Sequence, residues 1–270
     1  MPVTDAVIPV AGLGTRLLPA TRSQPKEMLP VLDRPVVQYV VEELVTAGVR
    51  RVLLVTGRRK RAIEDHFDAD PELGSSPLLD PASGLQILYT RQARPAGLGD
   101  AIGYGRGLGA TDGVMVALGD AILESAGNPS LSRRLIDTFE AQRPAAVIAV
   151  EAVAPERVSR YGIVAGPLEA ITGLVEKPPA ERAPSRWAVA ARYVFAPRVL
   201  DALAGTPPDA GGEVQVADAL NALIAGGERV IAVPLGPGER RHDIGTVEAY
   251  VATFVHFARA DPRFSALLDG

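Results

Sequence analysis

The chain has 270 residues, which exceeds a typical domain of ~100 to 200 residues but still suits one α/β domain. Its 47% hydrophobic and 22% charged residues exclude a disordered chain, and the absence of cysteine excludes disulfides and thiol nucleophiles. The net charge of -4 excludes a chain-wide attraction to nucleic acid or to anionic membranes.

No apolar run approaches the ~20 residues that span a bilayer, and the N-terminus lacks the pattern of a signal peptide. We therefore expect a cytoplasmic protein with neither a membrane nor a nucleic acid as partner. The three histidines, His66, His242 and His256, are scattered along the chain, which predicts that they do not form a histidine-rich zinc site.

The first ninety residues alternate between strand and helix patterns. A short apolar strand, Val7 to Val10, ends at a glycine loop, and apolar residues from Val36 to Val45 recur at helical spacing until Gly48. A strand at Val52 to Thr56, a helix at Arg59 to Phe67, a surface loop at Asp68 to Gly84 and a strand at Leu85 to Thr90 follow. This alternation predicts a parallel sheet covered by helices.

The next segment places a carboxylate at the end of a strand. A glycine-rich helix from Leu98 to Leu108 precedes the strand Val114 to Leu118, and Gly119-Asp120 follows that strand. Ligands of open α/β sheets bind at this carboxyl edge. A helix at Leu131 to Gln142 and a strand at Ala145 to Val150 complete this part.

The second half of the chain is richer in strands. The pattern predicts strands at Gly162 to Ala165, Ile171 to Glu176 and Ala188 to Phe195, as an antiparallel extension or a small mixed subdomain. It then predicts helices near Val199 to Leu203 and Val216 to Ala225, a strand at Val230 to Pro234 and a helix at Val247 to Ala258. The fold class is therefore α/β: a doubly wound, mostly parallel, Rossmann-like sheet with a smaller β-rich extension. We expect one domain over residues 1–270, with parts of about 1–150 and 151–270.

The glycine loop Ala11-Gly12-Leu13-Gly14-Thr15-Arg16 directly follows the first strand. Glycines there let backbone amides approach phosphate oxygens, although a purely structural turn explains two glycines equally well. Leu17 stands where a dinucleotide fingerprint needs its third glycine, and the Gly-Lys-Ser/Thr of a Walker loop is absent. Both of those motifs are excluded.

A longer set of motifs carries a resemblance. The glycine loop is followed by Pro25-Lys26-Glu27-Met28-Leu29-Pro30, and further matches extend along the chain: Gln38-Tyr39-Val40-Val41, His66-Phe67-Asp68, Arg91-Gln92, Gly97-Leu98-Gly99, Tyr161-Gly162-Ile163-Val164, Val175-Glu176-Lys177-Pro178, Ala183-Pro184-Ser185, Arg192-Tyr193, Gly212-Glu213-Val214-Gln215 and His242-Asp243. In these segments the chain resembles the sugar-1-phosphate nucleotidyltransferases, and among them the bacterial enzymes that act on UTP and glucose 1-phosphate.

The resemblance implies transfer of a uridylyl group from UTP to glucose 1-phosphate, which gives UDP-glucose and pyrophosphate. The sugar-phosphate oxygen attacks the α-phosphorus directly, so catalysis comes from fixed cations, Mg²⁺ and in-line positioning rather than from a covalent intermediate. Residues 1–150 then form the nucleotide-binding part, and residues 151–270 form the sugar-binding and C-terminal helical part.

The resemblance also implies a role for each matching residue. Arg16 and Lys26 face the phosphates of the nucleotide, Asp120 and Asp243 ligate Mg²⁺, and Lys177 binds the sugar phosphate. These residues form the implied catalytic set: Arg16, Lys26, Asp120, Lys177 and Asp243. Nucleotide binding is implied for Ala11, Gly12, Gly14, Thr15, Arg16, Gln92 and Gly97, with Gln92 reading the base, and sugar-phosphate binding for Gly162, Glu176 and Lys177.

The chain departs from this resemblance at a few positions. Arg94-Pro95-Ala96 replaces a segment in which lysine is usual, Gly119 stands for a common proline, Arg186 for asparagine and Ala191 for glycine. Another nucleotide, dTTP first, or another sugar 1-phosphate therefore stays an alternative, as does a catalytically silent paralogue that binds nucleotide sugars.

Two further expectations concern assembly and the lysines. We expect a homo-oligomer, and the apolar C-terminal helix suits either an interface or the core. Only three of the 28 basic residues are lysines, and the resemblance gives phosphate contacts to Lys26 and Lys177. Lys60 is expected on a solvated helix without a role.

Overall fold

The computed structural model describes residues 2–68, 72, 78, 84–108, 112–125 and 127–267. The surface loop predicted at Asp68 to Gly84 therefore lies largely outside the described residues. The strands are β1 (Asp5–Pro9), β2 (Pro30–Val31), β3 (Arg34–Pro35), β4 (Arg51–Thr56), β5 (Gln86–Arg91), β6 (Val114–Ala117), β7 (Ala121–Glu124), β8 (Ala146–Ala152), β9 (Gly162–Ala165), β10 (Gly173–Glu176), β11 (Trp187–Phe195), β12 (Val230–Pro234) and β13 (Arg240–Asp243).

The helices are α1 (Val36–Thr46), α2 (Arg61–Phe67), α3 (Gly97–Gly103), α4 (Leu131–Gln142), α5 (Pro197–Gly205), α6 (Val216–Ala225), α7 (Val247–Ala260) and α8 (Pro262–Ser265). Among the described residues, none of these helices has the length and apolar character needed to cross a bilayer.

One nine-stranded sheet organises the chain. Its main path runs β10-β9-β11-β6-β1-β4-β5, and β8 joins it through β11 and carries β12 at its other edge. Strands β1, β4, β5 and β6 pair in parallel, as do β8 and β12, whereas β11 is antiparallel to β6, β8 and β9. It follows that only β10 and β11 of this sheet run against the other strands. The prediction of a mostly parallel sheet is confirmed.

Helices cover both faces of this sheet. Along β1, Ala6 and Ile8 pack into a core on one face while Val7 packs into a core on the other, because successive side chains of a strand alternate. The first core includes residues of α1, α2 and α4, and the second includes residues of α3, α5 and α6. The predicted doubly wound architecture is confirmed.

The β-rich extension belongs to the same sheet. Strand β11 pairs with β6 through residues 192–195 and with β9 at Ala188, so a single long strand serves both the parallel part and the extension. Strands β9 and β10 pair antiparallel next to it. Of the two alternatives left open by the sequence, the antiparallel extension is correct.

The sequence patterns missed several short elements. Strands β7 and β13 pair with each other, Asp243 opposite Ala121, although they lie more than a hundred residues apart in the chain. The sequence of β13, Arg-Arg-His-Asp, has no apolar residue that would mark a strand, and only the fold supplies its partner. The helix predicted at Leu98 to Leu108 is also shorter: α3 ends at Gly103 and continues as a 3-10 turn, Tyr104–Leu108.

One expectation about a single residue is wrong. Lys60 is not on a solvated surface: its side chain is 4% exposed and its Nζ donates to Glu27 Oε2 at 2.7 Å. The error arises because the fold, and not the local sequence, brings Glu27 to this lysine. His242 on β13 and His256 on α7 lie with their ring centroids 4.7 Å apart, a contact that their spacing in the sequence did not indicate.

Candidate active site

Two adjoining cavities open at the carboxyl edge of the sheet. Every residue for which the resemblance implies catalysis or binding lines one or the other. The first, about 410 Å³, is lined by Ala11, Gly12, Gly14, Thr15, Lys26, Gln92 and Gly97. The second, about 340 Å³, is lined by Arg16, Gly162, Glu176, Lys177 and Asp243. Asp120 lines both, together with Leu98 and Leu118, so the two cavities meet at this carboxylate.

Backbone geometry shapes the first cavity. Gly14, at the end of the glycine loop, has a φ of 67°, a left-handed conformation that favours glycine. Gly97 has a φ of 94°, and a Cβ there would lie 2.7 Å from the backbone nitrogen of Val214. Glycine is therefore required at Gly97 both by its conformation and by the close approach of the segment before α6.

Gln92 lies at the end of β5 and is 7% exposed. Its Nε2 donates to the carbonyl oxygen of Gly97 at 3.2 Å and to Asp100 Oδ2 at 2.6 Å. Since both neighbours are acceptors, both hydrogens of the Gln92 amide are bonded within the protein. The remaining group, Oε1, can only accept, so this side chain suits a ligand edge that carries a donor.

Asp120 is held by a cation. The Lys26 ammonium forms a very short ion pair with its Oδ2, and the two side chains are 15% and 22% exposed. Burial raises the pKa of Asp120, but the charges of Lys26 and Arg16 outweigh it, so the pKa lies below its ordinary value. Asp120 is therefore a carboxylate that stays ionised and is neutralised by a cation.

The second carboxylate, Asp243, reaches the same cavity from β13. Its Oδ1 accepts from the backbone N–H of Gly245 at 2.8 Å, and the N-terminus of α7 is capped by Thr246. Arg16 packs beside it, with Nη2 3.0 Å from the position that a Cβ on Gly245 would take. Two carboxylates facing one cavity offer the oxygen ligands that suit a hard divalent cation such as Mg²⁺.

The turn that carries Asp120 is fixed by a buried arginine, which belongs to a matching motif but had no role assigned from the sequence. Arg192 on β11 is 0% exposed, and its Nε and Nη2 donate to the two carboxylate oxygens of Glu43 on α1 at 3.0 and 2.6 Å. Nη2 also donates to the carbonyl oxygen of Ala121 at 2.9 Å. This bidentate pair ties the β6–β7 turn to helix α1 and so positions Asp120.

The second cavity has a glycine and a charged pair at its wall. Glu176 Oε2 would lie 3.1 Å from a Cβ on Gly162, so the glycine leaves room for this carboxylate. Lys177 pairs with Glu176 Oε1 at 3.0 Å, but its side chain is 62% exposed. Its ammonium is therefore accessible to an anion in the cavity. Ala191, where the resemblance expects glycine, has a φ of 61°, a conformation that costs an alanine about 1–2 kcal/mol.

Two more arginines line the second cavity, Arg160 and Arg241. Arg241 is largely buried, bonds Glu151 through Nε at 2.8 Å and stacks 4.4 Å from the ring centroid of Tyr161. A sequence signal did exist, because Arg241 and Asp243 are two residues apart on one strand and so share a face. Arg16, Arg160 and Arg241 together concentrate positive charge at the second cavity, although the protein as a whole is acidic.

A sheet with a glycine loop at its carboxyl edge, cationic side chains and two carboxylates is the architecture of an enzyme that handles nucleotides and phosphates. Residues 5–259 match the nucleotidyl transferase family, and the chain belongs to that family. It is 42% identical to the UTP–glucose-1-phosphate uridylyltransferase of Bacillus subtilis, with 96% of this chain and 92% of the relative covered. It is 38% identical to UTP–glucose-1-phosphate uridylyltransferase 2 of Streptococcus pyogenes, with 97% and 92% covered.

Solved structures agree with this assignment. A UDP-glucose pyrophosphorylase in complex with UDP-glucose superposes with a TM-score of 0.85 at 35% identity, covering 96% of this chain and 100% of that one. The UTP-bound enzyme of Acinetobacter baumannii gives 0.85 at 34% identity, covering 99% and 97%. The family membership and the enzyme class inferred from the motifs are confirmed.

Proposed function

We propose that this nucleotidyltransferase transfers the uridylyl group of UTP to glucose 1-phosphate and depends on Mg²⁺. The observation that carries the proposal is the meeting of the two cavities at Asp120, one bounded by the glycine loop and Gln92 and the other by Glu176 and Lys177. A nucleotide in the first and a sugar phosphate in the second would bring their phosphates together at this carboxylate. The relatives that share most of the chain carry names of this activity.

The proposed chemistry is one displacement at phosphorus. A phosphate oxygen of the sugar 1-phosphate forms a bond to the α-phosphorus while the bond from that phosphorus to the bridging oxygen of pyrophosphate breaks. Arg16 and Lys26 stabilise the departing negative charge, and Lys177 holds the attacking phosphate. When bound to Asp120 and Asp243, Mg²⁺ supplies charge neutralisation and orientation of the phosphate oxygens. The protein needs no covalent nucleophile.

The base specificity follows from the orientation of Gln92. Its free Oε1 accepts the N3–H of a uracil, whereas cytosine presents an acceptor at that position and would be rejected. Thymine carries the same N3–H donor, so dTTP is the second candidate substrate. Contact of Ala11, Gly12, Gly14, Thr15 and Gly97 with the nucleotide, and of Gly162 and Glu176 with the sugar, completes the proposal.

A substrate matrix tests this function. Purified protein with Mg²⁺ would be given each nucleoside triphosphate, dTTP included, together with glucose, galactose or N-acetylglucosamine 1-phosphate, and pyrophosphate release would be followed. We expect the highest kcat/KM with UTP and glucose 1-phosphate. An equal or higher value with dTTP would make the protein a thymidylyltransferase. No pyrophosphate from any pair, with folded protein, would favour a silent nucleotide-sugar-binding paralogue.

A further inference from the structure

Two of the three histidines meet a carboxylate at the two-stranded sheet of β7 and β13. Glu124 is the last residue of β7, His242 lies on β13, and His256 lies on α7. Oε2 of Glu124 is 3.2 Å from Nε2 of His242 and 2.9 Å from Nε2 of His256. One ligand atom from each residue lies within 4.8 Å of the other two. We call these three residues the histidine cluster.

Packing holds the histidine cluster in place. The ring of Phe257 lies 5.2 Å from that of His242 and 5.6 Å from that of His256, measured between centroids. His242 is 8% exposed, and the ladder between β7 and β13 fixes its strand. His256 is more open and, with His242, lines a cavity of about 910 Å³ that extends to Asp243. Water can therefore reach the cluster, although its three side chains are anchored on separate elements.

The donor atoms of the cluster suit a transition-metal ion. Each imidazole offers a ring nitrogen and Glu124 offers a carboxylate oxygen, and these are donors that Zn²⁺ takes in proteins. The three donor atoms lie within 4.8 Å of one another, so one ion can contact all of them.

We propose that Glu124, His242 and His256 bind a divalent transition metal ion, Zn²⁺ or one of similar chemistry, with water as the remaining ligand. Tetrahedral ligands at about 2.0–2.1 Å from zinc lie about 3.3 Å apart, close to both glutamate–histidine distances. Two imidazoles and one carboxylate favour Zn²⁺ over Mg²⁺, which prefers oxygen ligands. This site is therefore chemically distinct from the Asp120–Asp243 pair and does not depend on the proposed function.

The position of the site gives it a structural consequence. His242 and Asp243 are consecutive residues of a strand, so they point to opposite faces of the two-stranded sheet of β7 and β13. A metal ion on the histidine cluster would join α7 to the strand that carries Asp243. It would stabilise the folded chain by an amount that grows with the metal concentration relative to its dissociation constant.

Cobalt binding tests the proposal. Tag-free protein would be stripped with a chelator, dialysed into excess Mg²⁺ to occupy oxygen-ligand sites, and titrated with Co²⁺, whose visible absorption is strong in a four-coordinate site and weak in a six-coordinate one. We expect one Co²⁺ per chain, displaced by Zn²⁺. His256→Gln and Glu124→Gln should each weaken binding by at least about tenfold, since even partners of metal ligands contribute that much. His66→Gln, at the histidine outside the cluster, is the matched control and should bind like the wild type.

Either of two results would overturn the proposal of a metal site. The proposal is overturned if the wild type binds no Co²⁺ at micromolar concentrations, in which case the cluster is only a hydrogen-bonded one. It is also overturned if His256→Gln and Glu124→Gln bind as tightly as the wild type, which would locate the metal elsewhere. The thermal midpoint gives a second readout: Zn²⁺ should raise it in the wild type and in His66→Gln but not in the two cluster variants.

Discussion

At the scale of residues, the contact between Lys26 and Asp120 is the most informative feature of the cleft. Both side chains are largely buried, and burial lowers the pKa of Lys26, but Asp120 and Glu27 outweigh it and the pKa is raised. The Lys26 ammonium is therefore charged at neutral pH. In this structure it is paired with Asp120, the carboxylate that we propose as a ligand of Mg²⁺. We infer that the carboxylate is preorganised to hold a cation beside the phosphates of both substrates.

Replacing Asp120 by asparagine tests this assignment. Asp120→Asn keeps the size and most hydrogen bonds of the side chain but removes its charge, and we expect turnover to fall by more than about 100-fold, as for the loss of one preorganised electrostatic contact. Steady-state pyrophosphate release at saturating Mg²⁺ measures it, with Asp201→Asn, an exposed residue paired with Arg106, as the control. Near-normal turnover would remove Asp120 from the metal site.

A local sequence pattern was enough to place some residues at the cavities. Asp120 was recognised because it follows a buried strand, and Gly14 because it follows another. The pair Arg192–Glu43 was not predictable, since the two residues lie 149 positions apart and only the sheet joins them. The same holds for Lys60, whose partner Glu27 belongs to another motif. Long-range pairing of charges is a property of the fold.

At the scale of elements, β10 shows how the fold supports the second cavity. It is an edge strand, and Glu176 is its last residue. The side chain of Asn221 on α6 takes the place of a neighbouring strand: its Oδ1 accepts from the N–H of Leu174 and its Nδ2 donates to the carbonyl oxygen of Leu174, both at 2.8 Å. The edge that carries Glu176 and Lys177 is therefore anchored to a helix.

Removing the hydrogen bonds of Asn221 should weaken binding of the sugar 1-phosphate more than binding of UTP. Asn221→Ala leaves both backbone groups of Leu174 without their protein partner, at a cost of about 1–3 kcal/mol, and loosens β10. We expect KM for the sugar 1-phosphate to rise by about 3- to 10-fold, within the range that this free energy allows, with KM for UTP nearly unchanged. Asp218→Ala, an exposed position on the same helix, is the control. Equal changes in both KM values would argue against a local effect.

At the scale of the whole molecule, both parts of the chain build one sheet. Strand β11, from the second part, pairs with β6 and with β8, both of which come from the first. Alternating patterns predicted most of this sheet, but they gave no information on which strands are neighbours, because strand order depends on crossovers. The single domain over residues 1–270 stays a prediction that this shared strand supports. The homo-oligomer and the cytoplasmic location also stay predictions.

A single domain predicts that the two parts unfold together. If residues 151–270 unfolded first, β6 and β8 would lose β11 and expose their edges, so neither part should persist alone. Trp187 on β11 is the only tryptophan of the chain and reports on the second part. A variant with Trp187→Phe and Tyr89→Trp moves the reporter to β5 in the first part. We expect urea unfolding followed by fluorescence in the two proteins, and by far-ultraviolet circular dichroism in each, to give coincident transitions. In either protein, a fluorescence midpoint that differs from the circular dichroism midpoint would show that the chain unfolds as two cooperative units. Because the two midpoints are compared within the same protein, an effect of the substitutions on overall stability does not alter this result.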